Sequence, residues 1–586
     1  MSLVKPWWRS ASVYQLYVRS FADANGDGIG DLAGITQRLD HVKSLGVDAI
    51  WLNPCFPSPQ RDHGYDVSDY FAIEPAYGDL AAFDELVARA HALGLRVLLD
   101  VVPNHCSRDH QWFLDALAGK PGSPERARFW FRPGRGLDGS QPPNNWKAIF
   151  GGSAWTRITE ADGSPGEWYL GVFTPDQPDW NFSEPSVVDH FDRMLRFWFD
   201  RGVDGFRADA VIYLGKVDGL PDANEADVES PLNPMYTYVA SQHDVWRRWR
   251  ALVDDCEIEQ GRELLLVAEA FSPSNPSLML EYANPTEFHQ TFAFDLMLAP
   301  WRSDAMRNVI TSTLEALAPA GLLPAWTLNN HDTQRTATRY GRNDVVEIGG
   351  FHDGVFRISS APLDAALGQR RARAATALLL ALPGCVYLYA GEELGLPEVL
   401  DLPDAARQDP VFHNSNGESL GRDGCRIPLP WTIDSGNSFG FTSDQAPIER
   451  QVESGAAVDL DFAREERTVD GVRSWLPQPH DWGSWSLEQQ TAEAHSALSL
   501  YRAAGRLRRD LEDLQSDSLE WIDGLTLDFL AFRRGDVVVA FNPTGIPFEL
   551  PEDLVGDCEV VLSSLHDHID PTTVPANTTL WLSPKC

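Results

Sequence analysis

Four short apolar runs of the chain each stop on residues able to carry charge or move protons. They end Asp100-Val-Val-Pro-Asn104-His105, Gly205-Phe-Arg207-Ala-Asp209, Ala268-Glu269 and Asn329-Asn330-His331-Asp332. One Asp at such a place is ordinary turn chemistry. Asp209, Glu269 and Asp332 together, with Arg207, His105 and His331 among them, need another explanation. No Cys/His spacing in the chain would claim these carboxylates for a metal. Clustered carboxylates without a metal point to glycoside hydrolysis. One carboxylate attacks or steadies an oxocarbenium-like centre, and another protonates the leaving oxygen. Burial and like-charge repulsion raise the pKa of the acid partner. Arg207, two residues before Asp209, helps keep that carboxylate ionised and nucleophilic.

These residues can meet only if the runs that carry them are strands ending at one mouth. Eight such runs are legible, at 13–18, 49–52, 97–102, 203–208, 264–268, 292–296, 326–328 and 385–389. Most are continuously apolar, as in parallel strands buried on both faces. Segments with apolar residues at helical spacing separate them, for example Ile35, Leu39, Val42 and Leu45. Gly46 and Gly94 stand where left-handed helix caps are wanted. The expected class is α/β, a (β/α)8 TIM barrel with its active site at the C-terminal strand ends. An inserted subdomain after the third strand, rich in Gly, Pro and Trp, is expected at 106–176. The barrel then comprises 1–105 and 177–516, with a long loop at 391–483 after strand eight. Residues 517–586 read as a C-terminal antiparallel β domain, with strands at 525–532, 537–541 and 558–562.

Charge and composition narrow the partners. Among 586 residues, 48 are Lys or Arg and 85 Asp or Glu, a net charge of −37. So acidic a surface repels nucleic acid and anionic lipid, and neither is expected as a partner. No run approaches the roughly 20 apolar residues of a membrane span. The opening MSLVKPWWRS has no apolar signal core, and the seven cysteines are scattered and odd in number. Both features favour reduced thiols in a cytoplasmic protein, a monomer or small homo-oligomer. The 20 Trp, 28 Phe and 14 Tyr suit sugar faces as well as they suit a large core.

The chain resembles the α-amylase family of glycoside hydrolases, in particular its α-glucosidase and oligo-1,6-glucosidase branch. The resemblance is carried by DVVPNH at 100–105, GFRADA at 205–210, Glu269 in LVAEA, NHD at 330–332 and QPDWN at 177–181. HGYDVSDY at 63–70, FGGSAW at 150–155 and GRDGCRIPLPW at 421–431 extend it over most of the chain. It implies Asp209 as nucleophile, Glu269 as general acid/base and Asp332 as transition-state stabiliser. It implies that Arg207, His105 and His331 contact the glucose at the cleavage point and that Tyr65 stacks beneath it. Asp62 and Arg422 match the pair that holds the non-reducing end and makes the cleft a blind pocket. Phe150 and Phe173 match pocket aromatics, and packing of the inserted subdomain would explain them equally well. The residue after the nucleophile is Ala210, where α-1,6-specific members resemble one another in carrying Val. The expectation is therefore an exo-acting retaining α-glucosidase acting on α-1,4-linked or small α-glucosides. His63 stands where Asn is the usual family residue.

The loop Asp23-Ala-Asn25-Gly-Asp27-Gly-Ile29-Gly-Asp31 spaces oxygen ligands at alternate positions, as a hard cation requires. The resemblance implies one structural Ca2+ or Mg2+ held by Asp23, Asn25, Asp27, Asp31 and the Ile29 carbonyl, with no organic cofactor. The same loop without metal is a run of Asx turns. Two rival functions keep the same motifs. A transglucosylase or isomerase of the trehalose synthase or sucrose isomerase type retains the carboxylates, and a non-catalytic glucosidase-like protein should have lost them.

Overall fold

The computed structural model describes residues 5–272, 275–342, 362–443, 474–566 and 568–585. Part of the long loop at 391–483, and Cys586, therefore lie outside the described residues. The chain lays down β1 (Ser12–Leu16), β2 (Ala49–Leu52) and β3 (Arg96–Val101), then leaves for three short antiparallel strands, β4 (Phe131–Arg132), β5 (Trp155–Thr159) and β6 (Pro165–Leu170). It returns as β7 (Gly205–Ala208), β8 (Leu265–Ala268), β9 (Gln290–Ala293), β10 (Ala325–Thr327) and β11 (Cys385–Tyr389). The eight strands β1, β2, β3, β7, β8, β9, β10 and β11 close a parallel barrel. Nearly all their residues are buried, which is why they read as unbroken apolar runs.

The crossover helices are α1 (Leu32–Ser44), α2 (Leu80–Ala92), α3 (Pro185–Asp200), α4 (Gln242–Gln260), α5 (Ser303–Leu317), α6 (Ala365–Ala381) and α7 (Ala497–Asp510). Their starts follow from sequence. Asp31, Asp79, Asp364 and Ser496 each accept a hydrogen bond from a backbone N–H of the following first turn. Gly46 and Gly94 take positive φ of 79° and 68° just beyond α1 and α2. Among the described residues, only short helical turns at Pro276–Leu278 and Met279–Tyr282 connect β8 to β9.

Two expectations shift. The sixth strand begins at Gln290 rather than 292, and Asp295–Leu298 is already helical. Gln290 and Thr291 can be buried because their side chains donate to the Trp8 and Ala268 carbonyls. The subdomain core, built on Trp146, Trp155, Leu170 and Val172, also takes in Leu220, Ala223 and Tyr236 from the segment after β7.

The C-terminal residues form β12 (Glu520–Trp521), β13 (Leu530–Arg534), β14 (Val537–Asn542), β15 (Phe548–Glu549), β16 (Cys558–Ser563), β17 (Thr573–Val574) and β18 (Thr578–Pro584). Five of them make an antiparallel sheet in the order β12-β13-β14-β18-β16, and β15 pairs with β17. Of the stretch 525–532, only its end is strand, and β18, which the sequence reading lacks, lies between β14 and β16. This sheet docks on α6: Trp581 Nε1 donates to the Ala377 carbonyl at 2.9 Å and Thr579 Oγ1 to that of Ala374 at 2.7 Å. No helix among the described residues is long and apolar enough to cross a membrane. Six described cysteines are buried free thiols.

Candidate active site

The barrel ladder continues past the strand ends and fixes the reactive carboxylates. Asp209 N–H donates to the Val101 carbonyl at 2.8 Å, and Glu269 N–H donates to that of Ala208 at 2.9 Å. Ala210, next after Asp209, is held at φ 49°, a left-handed backbone rare for a residue with a Cβ. That turn aims the Ala210 N–H at Glu269 Oε2, 2.9 Å away.

One guanidinium organises the centre. Arg207 Nη1 donates to Asp100 Oδ1 at 2.8 Å and to Asp209 Oδ1 at 2.6 Å, and its Nη2 lies 2.8 Å from Glu269 Oε2. Three carboxylates thus share one fully buried cation. Burial pushes Asp209 well above the usual carboxylate range; Arg207 opposes this, and Glu269, Asp100 and Asp332 add to it. Arg207 does favour the ionised form, as the sequence suggests, but divided among three carboxylates it does not offset burial. Such a cluster holds its protons jointly.

Asp332 is set apart from this group. Its Oδ1 accepts from Arg422 Nη1 at 3.1 Å and Arg426 Nη2 at 2.8 Å, and its Oδ2 lies 3.1 Å from His331 Nε2. Burial raises Asp332, but the neighbouring positive charge outweighs it and holds the carboxyl well below the usual range. His331 is pushed far below the usual histidine value by burial, with Arg426, Arg207 and Arg422 adding to the effect. The imidazole is therefore neutral, and His331, Arg422, Arg426 and Arg207 together surround Asp332 with groups that favour its ionised form. Asp332 is thus a fixed negative charge in the pocket, apart from the carboxylates grouped on Arg207.

Around these groups lies a pocket of about 80 Å3. Asp62, Tyr65, His105, Phe150, Phe173, Asp209, Glu269, Asp332 and Arg422 all line it. Arg207 and His331 do not; they lie beneath, fully buried, where they hold the lining groups. The Tyr65 ring stacks on the His331 ring with centroids 5.3 Å apart and planes 4° from parallel. Phe173 packs between His105 at 4.8 Å and Tyr213 at 5.2 Å, and Phe150 carries the Arg422 guanidinium at 5.3 Å. Both aromatics thus line the pocket as well as pack. His105 is kept neutral by burial, which lowers it to about 3.

The end of the pocket is closed by an ion pair. Arg422 Nη2 donates to Asp62 Oδ1 at 2.8 Å, and Gln177 Nε2 donates to Asp62 Oδ2 at 2.9 Å. Several contributors here were not foreseen. Asp409 accepts from Arg422 Nε at 2.7 Å and from its backbone N–H at 2.6 Å, fixing the guanidinium plane. Arg426 reaches Asp332, and its Nη1 donates to Nδ1 of His63 at 2.9 Å. His63 therefore supports Arg426 and does not line the pocket. Ile149, Ile212, Tyr213 and Phe271 complete the wall. Arg426 was discoverable from its position four residues after Arg422 across the tight turn Asp423–Cys425; Asp409 caps the short helix Pro410–Asn414, and its capping role gives no sign of the bond to Arg422.

The loop at 23–31 lies outside the pocket lining. Gly26 and Gly28 N–H groups donate to Asp23, Ala24 and Asn25 N–H groups to Asp31 Oδ2, and the Asn25 and Asp27 side chains accept from residues two further on.

Comparison with known proteins agrees with this geometry. The family model described as "Alpha amylase, catalytic domain" matches residues 15–454. A "Probable alpha-glucosidase" of Rhizobium meliloti (strain 1021) is 36% identical over 476 residues, 77% of this chain and 79% of that protein. An "Alpha-glucosidase" of Culex pipiens is 35% identical over 455 residues, 75% and 69% of the two chains. The crystal structure of an "alpha-glucosyl transfer enzyme" superposes with a TM-score of 0.79 at 31% identity, covering 99% of this chain and 100% of that one. The chain belongs to the α-amylase family.

Proposed function

We propose that this protein is an exo-acting, retaining α-glucosidase that releases glucose from the non-reducing end of maltose-like α-1,4-linked oligosaccharides or small α-glucosides. The observation that carries the reading is the Asp62–Arg422 pair, closed at 2.8 Å across the end of the pocket. A blind pocket admits one terminal sugar and no more. Sharing of Arg207 by Asp209 and Glu269 supports the close carboxyl spacing of retaining enzymes, about 5–5.5 Å. Asp209 attacks the anomeric carbon as the glycosidic C–O bond breaks, and Glu269 gives its proton to the departing oxygen. Water, deprotonated by Glu269, then attacks the same carbon, and the bond to Asp209 breaks. Asp332, ionised throughout, binds sugar hydroxyls most strongly as positive charge develops on the ring. Ala210 leaves the floor beside Asp209 small, in keeping with α-1,4 bonds. The test is a product profile on glucose disaccharides and starch, with the first-formed anomer followed by NMR. Release of α-glucose from maltose, with little internal cutting of starch, is expected. Release of β-glucose would overturn the retaining mechanism, and rapid internal cutting would overturn the blind pocket.

One observation favours a second reading, transfer of the glucosyl unit to another hydroxyl. The mouth is walled by Ile149, Ile212, Tyr213 and Phe271, which limit water, and a glucosyl transfer enzyme is among the similar structures. The same product profile separates the two.

We further propose one structural Ca2+ or Mg2+ at the 23–31 loop. Burial raises Asp23, and raises Asp31 to about 6, with the Asp23 charge adding to the latter. Neither carboxylate forms an ion pair with a cationic side chain among the described residues. An all-oxygen donor set in which Asp23 and Asp31 have no cationic partner among the described residues suits a hard cation. Among the described residues no three His, Cys, Asp or Glu side chains form a ready-made cluster. The ion would thus rest on the Asn25 amide and Ile29 carbonyl as well as on Asp23, Asp27 and Asp31, and would supply loop rigidity, not chemistry. We infer a cytoplasmic location, supported by the buried free thiols.

A further inference from the structure

Beneath the pocket lies a chain of polar side chains that starts on the first barrel strand. Gln15, in β1, is 1% exposed, and its Nε2 makes two contacts: 2.9 Å to Asn53 Oδ1 and 2.8 Å to His331 Nδ1. Asn53 Nδ2 donates to the Tyr65 hydroxyl at 2.9 Å. That hydroxyl lies 3.0 Å from Asp100 Oδ2 and 2.6 Å from His331 Nε2.

Burial raises Asp100 to about 7, and in its ionised form, above that, the hydrogens in this chain follow from its end. Asp100 takes a donor on each oxygen, Arg207 on Oδ1 and Tyr65 on Oδ2, which fits a carboxylate. The Tyr65 proton is thus spent on Asp100, and its oxygen must accept from Asn53 and from His331. Asn53 then presents its carbonyl to Gln15, whose amide supplies both remaining hydrogens, one to Asn53 and one to His331. His331 Nδ1 is left as an acceptor and Nε2 as a donor.

We propose that Gln15 is a positioning residue: its amide holds His331 in the neutral tautomer with the hydrogen on Nε2, the nitrogen that faces Tyr65 and Asp332. The consequence for turnover rests on the glucosidase reading, because the Nε2 hydrogen steadies Tyr65 and Asp332, the neighbours that line the pocket. A His with the wrong tautomer keeps its position and loses its function. Ionised Asp332, 3.1 Å from Nε2, favours the same tautomer from the other side of the ring. Asp332 and Tyr65 face Nε2, while Arg207, Arg422 and Arg426 disfavour a second proton on either nitrogen. Among the described residues, only Gln15 addresses Nδ1.

The experiment compares Gln15→Glu, which replaces the donor by an acceptor of the same shape, with Gln15→Met, which removes polarity and keeps volume. The full chain is labelled with 15N-histidine, and the His331 signal is identified by its loss in His331→Asn. Wild type should show an unprotonated Nδ1 and a protonated Nε2. Gln15→Glu should protonate Nδ1 and lower kcat/KM on maltose roughly 10–100-fold, the value of one charge-sensitive hydrogen bond. Gln15→Met should give a mixture of tautomers and a smaller loss. The proposal is overturned if Gln15→Glu leaves Nδ1 unprotonated, or if both variants lose activity equally with the wild-type tautomer, which would mark a packing role. Should Gln15→Glu not fold, a pure Nε2–H tautomer in Gln15→Met overturns it and a mixture supports it. The spectra need no substrate, so they judge Gln15 even if wild type proves inactive on glucosides.

Discussion

Asp209 is held by the structure at the expense of stability. Burial and the charges of Glu269, Asp100 and Asp332 raise its carboxyl, so the folded state binds a proton more tightly than the unfolded chain does. For an acid shifted upward, stability falls as pH rises from the unfolded value through the folded one. Asp209→Asn removes that penalty together with the proposed nucleophile. It should therefore lose roughly 10³-fold or more in kcat, yet melt at the same temperature or higher at pH 8. Calorimetry beside a nitrophenyl α-glucoside assay checks both; a large drop in melting temperature would mean that Asp209 braces the fold. Arg422 presents the opposite case. It meets Asp62, Asp409 and Asp332 through a planar fork, so truncation would strand three buried carboxylates and confuse stability with function. Arg422→Lys keeps the charge and loses the fork. It should cost about 10–100-fold in kcat/KM on maltose, with cleavage inside longer chains increasing as the closed end loosens. An unchanged kcat/KM would show that the pair pins loops without touching sugar.

At the scale of elements, sequence reveals most where one residue type repeats and least where a polar side chain finds a distant partner. The barrel was legible because strands buried on both faces are apolar throughout, and parallel topology then brings Asp209, Glu269 and Asp332 to one mouth. β9 was misplaced because Gln290 and Thr291, which open it, donate to the Trp8 and Ala268 carbonyls, far away in sequence. Asp409 and Gln15 escaped for the same reason: their partners Arg422 and His331 lie on other elements. Another such group closes β11. Glu392 accepts from the Tyr389 N–H at 3.1 Å and from the Tyr501 hydroxyl of α7 at 3.1 Å, and burial lifts its pKa from 4.5 to about 7. Its ionisation opposes folding between those two values, so its unfavourable contribution grows as pH rises from about 4.5 to about 7. Glu392→Gln should match wild type near pH 4.5 and be more stable above pH 7, by on the order of a few kcal/mol. A melting-temperature difference independent of pH would refute this. The 23–31 loop gives a second element-scale test. If an ion relieves the Asp23–Asp31 repulsion, a chelator should lower the melting temperature through loss of a few kcal/mol of linkage stabilisation, while turnover at low temperature persists. No chelator effect, with no ion retained by purified protein, would remove the metal.

The whole molecule joins a barrel to a sheet through hydrogen bonds that neither part satisfies alone. Buried Arg534 of β13 donates to the Ala381 carbonyl at the end of α6 and to Leu514 and Ser516, which precede the sheet. Trp581 of β18 lies wholly buried on the same helix, its indole N–H on the Ala377 carbonyl. Across the interface, Trp301 ahead of α5 donates to the Pro543 carbonyl at 3.0 Å. If the sheet opened by itself, these donors and the apolar face of α6 would meet water, and burial of both is what favours association. Sheet and barrel should therefore melt together although they are separate layers. Trp581→Ala removes a large buried ring and one hydrogen bond, a loss of about 3–5 kcal/mol. It should lower one shared calorimetric transition without splitting it. The docking face is the outer side of the barrel at α6, and no C-terminal sheet residue lines the pocket, so kcat at 25 °C should be that of wild type. Two resolved transitions in Trp581→Ala, with the first confined to the C-terminal sheet by hydrogen exchange, would show that the sheet is an independent unit and that the bonds to α6 do not couple the layers.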